Sequence, residues 1–145
     1  SLIMTETINQ EVARIPAGSE EMIALPHLQG SMAPDVNLNA KAVFYGATLK
    51  HKKAHFARSI MESLGYIICR NLEAVDAMGL KVEQILTMGG GSKSDVWNQI
   101  KADITGKTLN VTGLSQDICT VRHSKKWRCL YYRCNRLFSG TPYPV

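Results

Sequence analysis

Three consecutive glycines, Gly89, Gly90 and Gly91, are followed directly by Ser92, Lys93 and Ser94. Glycine has no Cβ, so such a run lets backbone N–H groups approach a phosphate or a nucleotide, and a helix start behind it adds unpaired donors and a positive dipole end. The spacing matches neither of the common phosphate loops. No Gly-Lys-Ser/Thr stands at the distance a Walker-type loop requires, and no third glycine completes Gly-x-Gly-x-x-Gly. Spacing alone therefore leaves two readings open: a ligand-binding turn, or a tight strand-to-helix turn capped by Ser92 or Ser94. Lys93 divides in the same way between reaching a phosphate and standing solvated at a helix start, the second being the preferred reading.

Other residues with chemical potential are more dispersed. His51, Lys52, Lys53 and His55 suit a small anion site, although a charged helix entrance is the plainer account. Cys119, His123, Cys129 and Cys134 can be drawn as a zinc set. They lack the paired Cys-x-x-Cys spacing that marks structural zinc, so no metal ligand is assigned. Disulfides are not expected in a reducing cytoplasm. The stretch Ser124 to Arg136 mixes Arg, Lys, Trp and Tyr with no period of 2 or 3.6. That mixture suits RNA or single-stranded DNA through phosphate neutralisation and base stacking.

Charge placement bears on that last reading. The 11 basic and 11 acidic residues up to position 112 cancel, so the whole +5 excess lies in residues 113–145, with 6 basic and 1 acidic. Three of the four cysteines fall in the same 33 residues. Two parts are expected: residues 1–112, and an atypical basic tail over 113–145, disordered or produced by a shifted reading frame. The frame shift is preferred to a functional tail, and a nucleic-acid partner is not expected.

The elements that must position the glycines follow from periodicity. Apolar residues at Ala57, Ile60, Met61, Leu64, Ile67, Ile68, Leu72 and Val75 recur in steps of three and four, predicting a helix from about Lys53 to Met78 with Gly79 just beyond it. Val82 to Met88 is aliphatic enough for a buried strand. Val96, Trp97, Ile100 and Ile104 mark a second helix closed by Gly106, and Thr108 to Val111 a second strand. Trp97 belongs to that apolar stripe, which favours packing over stacking on a ligand. Upstream, residues 5–21 predict a short helix closing at Pro16-Ala17-Gly18-Ser19. Met22 to Leu25 and Val43 to Tyr45 are brief apolar runs around loop chemistry at residues 28–35. Helix, strand, glycine turn, helix, strand is an α/β alternation with a parallel or mixed sheet. At 145 residues the chain is the size of one domain, and it has no run of about 20 apolar residues able to cross a bilayer. Its start has neither the basic nor the apolar region of a secretory signal, so a cytoplasmic location is the expectation.

Four segments, in order, carry a resemblance to a known family. Leu25-Pro26-His27-Leu28-Gln29-Gly30-Ser31-Met32-Ala33-Pro34 resembles the Leu-Pro-Tyr-Leu-x-Gly-Glu-Arg-x-Pro stretch of the FGGY carbohydrate kinases, and Asn39 to Thr48 resembles the segment that follows it. His55-Phe56-Ala57-Arg58-Ser59-Ile60-Met61-Glu62 is similar to the family's signature at the start of a long helix. Met88 to Gly106 is similar to its Gly-Gly-Gly-Ala-Lys-Ser-x-x-Trp-x-Gln-x-x-Ala-Asp-x-x-Gly block. Ser31-Met32 departs from the usual Glu-Arg, Ala42 from a common glycine and Ala47 from a leucine. The match covers about residues 5–112 and is closest to the xylulose-kinase-like branch.

The resemblance implies a partial actin-like, ribonuclease-H-like ATPase domain that contains a long helix and a strand-GGG-helix unit. It implies transfer of the γ-phosphoryl group of ATP to a sugar hydroxyl, with Mg2+ as cofactor and ATP or ADP as ligand. Gly89, Gly90 and Gly91 carry over as backbone contacts to the nucleotide, with Ser92 beside them and Ser94 near the adenine. The catalytic Asp base and most sugar contacts belong to the family's N-terminal domain. The segments matched here are those of the C-terminal domain, so no catalytic residue is assigned and this chain alone is expected to be inactive, with sugar binding only beside a complete N-terminal domain. Two alternatives from other classes are a self-associating interaction module, with a homo-oligomer as its product, and nucleic-acid binding through the tail.

Overall fold

The structure, a computed structural model, describes residues 2–34, 36–111 and 118–119. Helix α1 (Leu2–Arg14) leads into a turn at Ala17 and Gly18, and strand β1 (Ile23–Leu25) pairs antiparallel with β2 (Val43–Tyr45) in the register Ile23 to Tyr45 and Leu25 to Val43. The loop between the two strands is folded on itself, Ser31 and Asn37 exchanging backbone hydrogen bonds of 2.8 and 3.0 Å. The long helix α2 (Lys53–Ala77) follows, then β3 (Gln84–Thr87), α3 (Asp95–Thr105), β4 (Thr108–Val111) and β5 (Ile118–Cys119). β3 and β4 are parallel and β5 joins β4 antiparallel, so the sheet has the order β3-β4-β5 and is mixed. The rest of the basic tail, with His123, Cys129 and Cys134, lies outside the described residues.

The core forms where α2 crosses α1, α3 and β1. Val12, Ile23, Tyr66, Ile100 and Ile104 are buried together, with Ile8, Leu25, Ala57, Met61 and Val96 packed around them. Helices α2 and α3 approach closely at Gly65, where a Cβ would meet Ile104 Cδ1 at 2.7 Å. Only glycine fits that crossing without displacing Ile104. At its far end α3 stops at Gly106, left-handed at φ 66°, whose N–H donates to the Ala102 carbonyl at 2.9 Å.

Two features differ from what periodicity alone would suggest. The most deeply buried face of α2 is not the apolar stripe: it carries His55, Arg58, Ser59, Glu62 and Ser63, whereas Ile60 is exposed. The reason is the turn before β1. Gly18, Ser19, Glu20 and Glu21 all have positive φ, from 48° to 87°, and α2 faces that turn with polar groups. Glu62 accepts the Gly18 N–H at 3.1 Å, the Ser19 hydroxyl at 3.2 Å and Arg58 Nε at 2.7 Å, while Arg58 also donates to the Val12 carbonyl at 3.0 Å. The second concerns Val82 to Met88. Only Gln84–Thr87 is strand, and it lies at an edge, with β4 as its one partner among the described residues. Its Leu86 and the adjacent Met88 are 61% and 70% exposed, so this is not the buried strand that an aliphatic run suggests.

Candidate functional site

Between β3 and α3 the chain turns at Gly89, with φ 87° and ψ −170°, a conformation open essentially to glycine alone. Gly90 to Lys93 then make one tight helical turn. Ser92 closes it, its N–H and Oγ donating to the Gly89 carbonyl at 3.2 and 2.7 Å. Ser94 is the N-cap of α3: its Oγ accepts the Trp97 N–H at 3.2 Å and donates to Asn9 Oδ1 on α1 at 3.2 Å. Asn98 Nδ2 reaches back from α3 to the Ser92 carbonyl at 2.6 Å. Both serine hydroxyls are thus engaged within the protein.

The three glycines are set apart by their surroundings. A Cβ on Gly91 would stand 2.8 Å from Trp97 Cζ3, so its smallness serves packing. Gly89 needs its left-handed φ, although a Cβ there would meet nothing within 4 Å. Gly90 has neither constraint: its φ lies outside the left-handed region and the space beside it is open. Trp97 itself is tied inward, donating Nε1–H to the Met61 carbonyl at 3.3 Å with Lys101 Nζ 5.1 Å from its ring centroid. Lys93 is exposed, and Asp95 occupies the first turn of α3. A phosphate at the start of α3 would therefore meet a carboxylate and an N–H already capped by Ser94.

The histidine and lysine group at the head of α2 forms a charged helix entrance. His51 Nδ1 accepts the Thr48 N–H at 2.8 Å, and its Nε2 lies 3.2 Å from the Glu20 carbonyl. His55 Nδ1 accepts the Lys52 N–H at 3.0 Å, while Lys50 pairs with Glu20 at 3.5 Å and Lys53 with Glu11 at 3.3 Å. Among the described residues no three His, Cys, Asp or Glu side chains gather as a metal site, so no Mg2+ ligand is assigned. Ser31 and Met32 line a cavity of about 500 Å³ between the β1–β2 loop and α2, together with Leu64, Ile67 and Arg70. His27 stands in its wall with its pKa lowered, first by burial and then by the Arg70 charge.

Sequence reasoning missed Asn9, Asn98 and the Arg58–Glu62 pair. The apolar stripe of α3 gives no signal for Asn98, which stands two positions before Ile100 and so on the opposite side of the helix.

Solved sugar kinases share this fold. The structure matches a xylulose kinase from Rhodospirillum rubrum with a TM-score of 0.84 and 18% identity, over 94% of this chain and 34% of that one. It matches a Plasmodium falciparum glycerol kinase, solved with ADP, with a TM-score of 0.82 and 16% identity, over 97% and 34%. In sequence, a xylulose kinase of Escherichia coli (strain K12) is 37% identical over 92 residues, 63% of this chain and 19% of the enzyme. The model of the C-terminal domain of the FGGY family of carbohydrate kinases matches residues 5–120, and the chain belongs to that family. It spans about one fifth of the length of the curated relatives it matches. Among the described residues no helix is long and apolar enough to cross a membrane.

Proposed function

We propose that this chain is the nucleotide-facing part of a sugar kinase, in which the backbone at Gly89, Gly90 and Gly91 contacts ATP or ADP in a strand-glycine-helix unit. The observation that carries the reading is Gly90, which neither backbone conformation nor packing requires to be glycine. Close approach of a ligand is the remaining physical reason for a missing side chain. The closed cap at Ser94 and the charge of Asp95 favour a neutral part of the nucleotide against this turn, with the phosphates away from the start of α3. The glycerol kinase relative solved with ADP supports a nucleotide as ligand.

The complete reaction in the family is transfer of the ATP γ-phosphoryl group to a sugar hydroxyl, and the xylulose kinase relatives favour a pentulose as acceptor. Mg2+ bound with ATP supplies charge neutralisation at the transferred phosphoryl group. Residues of this chain would hold the nucleotide and orient it. The acceptor's base and its sugar contacts come from the remainder of the kinase, so this chain alone shows little or no phosphoryl transfer.

Calorimetric titration with Mg-ATP, repeated on Gly90→Val, tests the reading. A Cβ at this position meets nothing within 4 Å, so the variant should keep its stability to within about 0.5 kcal/mol, as at an unconstrained surface position. Its nucleotide affinity should fall at least about tenfold if the backbone must approach the ligand. Equal binding by both proteins, or none by the unaltered chain, would reject it. A self-associating module is the second reading, favoured by the exposure of Leu86 and Met88 beside a strand edge that is open among the described residues.

A further inference from the structure

Asn98 is 1% exposed, and it divides its amide unequally. Nδ2 donates to the Ser92 carbonyl at 2.6 Å, while Oδ1 is buried with no hydrogen-bond partner among the described residues. A buried acceptor left unsatisfied works against stability, so what the amide gives the fold rests on its donor half alone. Its satisfied half acts on the glycine turn. Ser92, held from α3 by Asn98, in turn holds the Gly89 carbonyl through its own N–H and Oγ. Gly90 lies between these anchors and has no side chain to fix its own place.

We infer that Asn98 is a positioning residue for nucleotide recognition: its bond to Ser92 fixes the Gly89–Ser92 backbone in the shape that presents Gly90 to ATP or ADP. The inference rests on the nucleotide reading of the glycine turn, and it adds the part of α3 that holds the turn in place. Asn98 acts through Ser92 and the turn; it is not a nucleotide contact.

Asn98→Asp keeps the shape and changes the proton. An ionised carboxylate facing the Ser92 carbonyl has nothing to donate and is repelled, whereas the protonated acid donates its O–H to the same oxygen. Burial raises the carboxyl pKa, which brings this exchange between about pH 5 and pH 8. Relative to the unaltered chain at each pH, a ratio that cancels the titration of ATP itself, the variant should bind Mg-ATP about tenfold more weakly at pH 8 and approach parity at pH 5. Because a buried carboxylate also destabilises the fold when it ionises, the deficit counts only where circular dichroism shows the variant folded at both pH values. Asn98→Leu, with neither donor nor charge, should be weak at both pH values, and it carries the test should Asn98→Asp fail to fold at pH 8.

Unchanged affinity in Asn98→Leu, or a deficit in Asn98→Asp that does not vary with pH, would overturn the inference while leaving the nucleotide reading intact. If the unaltered chain binds no nucleotide, that reading has failed by itself. The position of the turn is then decided from the amide spectrum of protein labelled with 15N-glycine. Resonances of Gly89 and Gly90 displaced in Asn98→Asp at pH 8 and restored at pH 5 would support the restraint on the turn. Coincidence with the unaltered chain at both pH values would overturn it.

Discussion

Gly91 is the position at which the turn has least freedom, because an added methyl group would press on an aromatic ring that is itself tethered. Trp97 is held by its Nε1 bond to Met61 and lies beside Lys101, so the ring cannot swing away from a Cβ placed 2.8 Å from Cζ3. Gly91→Ala should therefore cost about 1–3 kcal/mol, the usual penalty for overpacking, read as a lower urea midpoint at unchanged slope. Gly89→Ala should cost about 1–2 kcal/mol for a different reason, since φ 87° forces an L side chain into the left-handed region. Gly90→Ala should leave stability within about 0.5 kcal/mol of the starting value, because it meets nothing and needs no unusual φ. Equal losses at all three positions would mean that the turn acts as one packed unit and that Gly90 has no claim to a ligand. The repeated letter in the sequence conceals three roles, which only the neighbours of each Cβ separate.

At the scale of elements, the buried polar seam between α2 and the left-handed turn is where stability should respond to pH. Burial pushes the Glu62 carboxyl up to about 7, against the opposing pull of Arg58, the Gly18 N–H and the Ser19 hydroxyl. A carboxyl raised on folding binds more protons in the native chain than in the unfolded one. Its contribution is fully present below the ordinary value of 4.5 and is lost as pH rises to about 7. Urea titrations across that window should show stability falling with pH in the unaltered chain, with the slope from this group absent in Glu62→Gln; equal slopes would remove Glu62 as the cause. The charge beside it is Arg58 on its own helix, whose Nε stands 2.7 Å from Oε1. This seam also marks the limit of what the sequence disclosed. The existence and type of α1, α2, α3, β3 and β4 were legible from period and capping residues, since those depend on neighbours close in the chain. Which face of α2 is buried depends on a turn more than 40 residues away in sequence, and periodicity carries no information about it. Gly89 to Gly91 were singled out as a glycine run between a predicted strand and helix and by the family resemblance, whereas Asn98, which bonds to Ser92 behind them, has its meaning only once α3 is folded back on Ser92.

For the whole molecule, the decisive fact is how much apolar surface a domain of this size leaves uncovered. The chain spans 19% of the Escherichia coli relative, and on the side of β3 that carries Leu86 the sheet is open, while Thr87 on the opposite side is buried. Val43, Phe44 and Tyr45 of β2 are exposed as well. Exposed apolar strands beside an edge that is unpaired among the described residues favour association with another copy. The purified chain should therefore show a mass in light scattering that rises with concentration, and Leu86→Lys combined with Met88→Lys should restore the monomer, by charging one exposed face without entering the core. Salt separates this from electrostatic association through the basic tail. Apolar burial persists or strengthens at high ionic strength, whereas contacts made by the excess charge of residues 113–145 weaken as the Debye length falls from about 10 Å at 0.1 M to about 3 Å at 1 M. A mass that stays monomeric at every concentration would remove self-association as a reading of this chain. A mass that collapses to the monomer in 1 M salt would transfer the association from β3 to the tail.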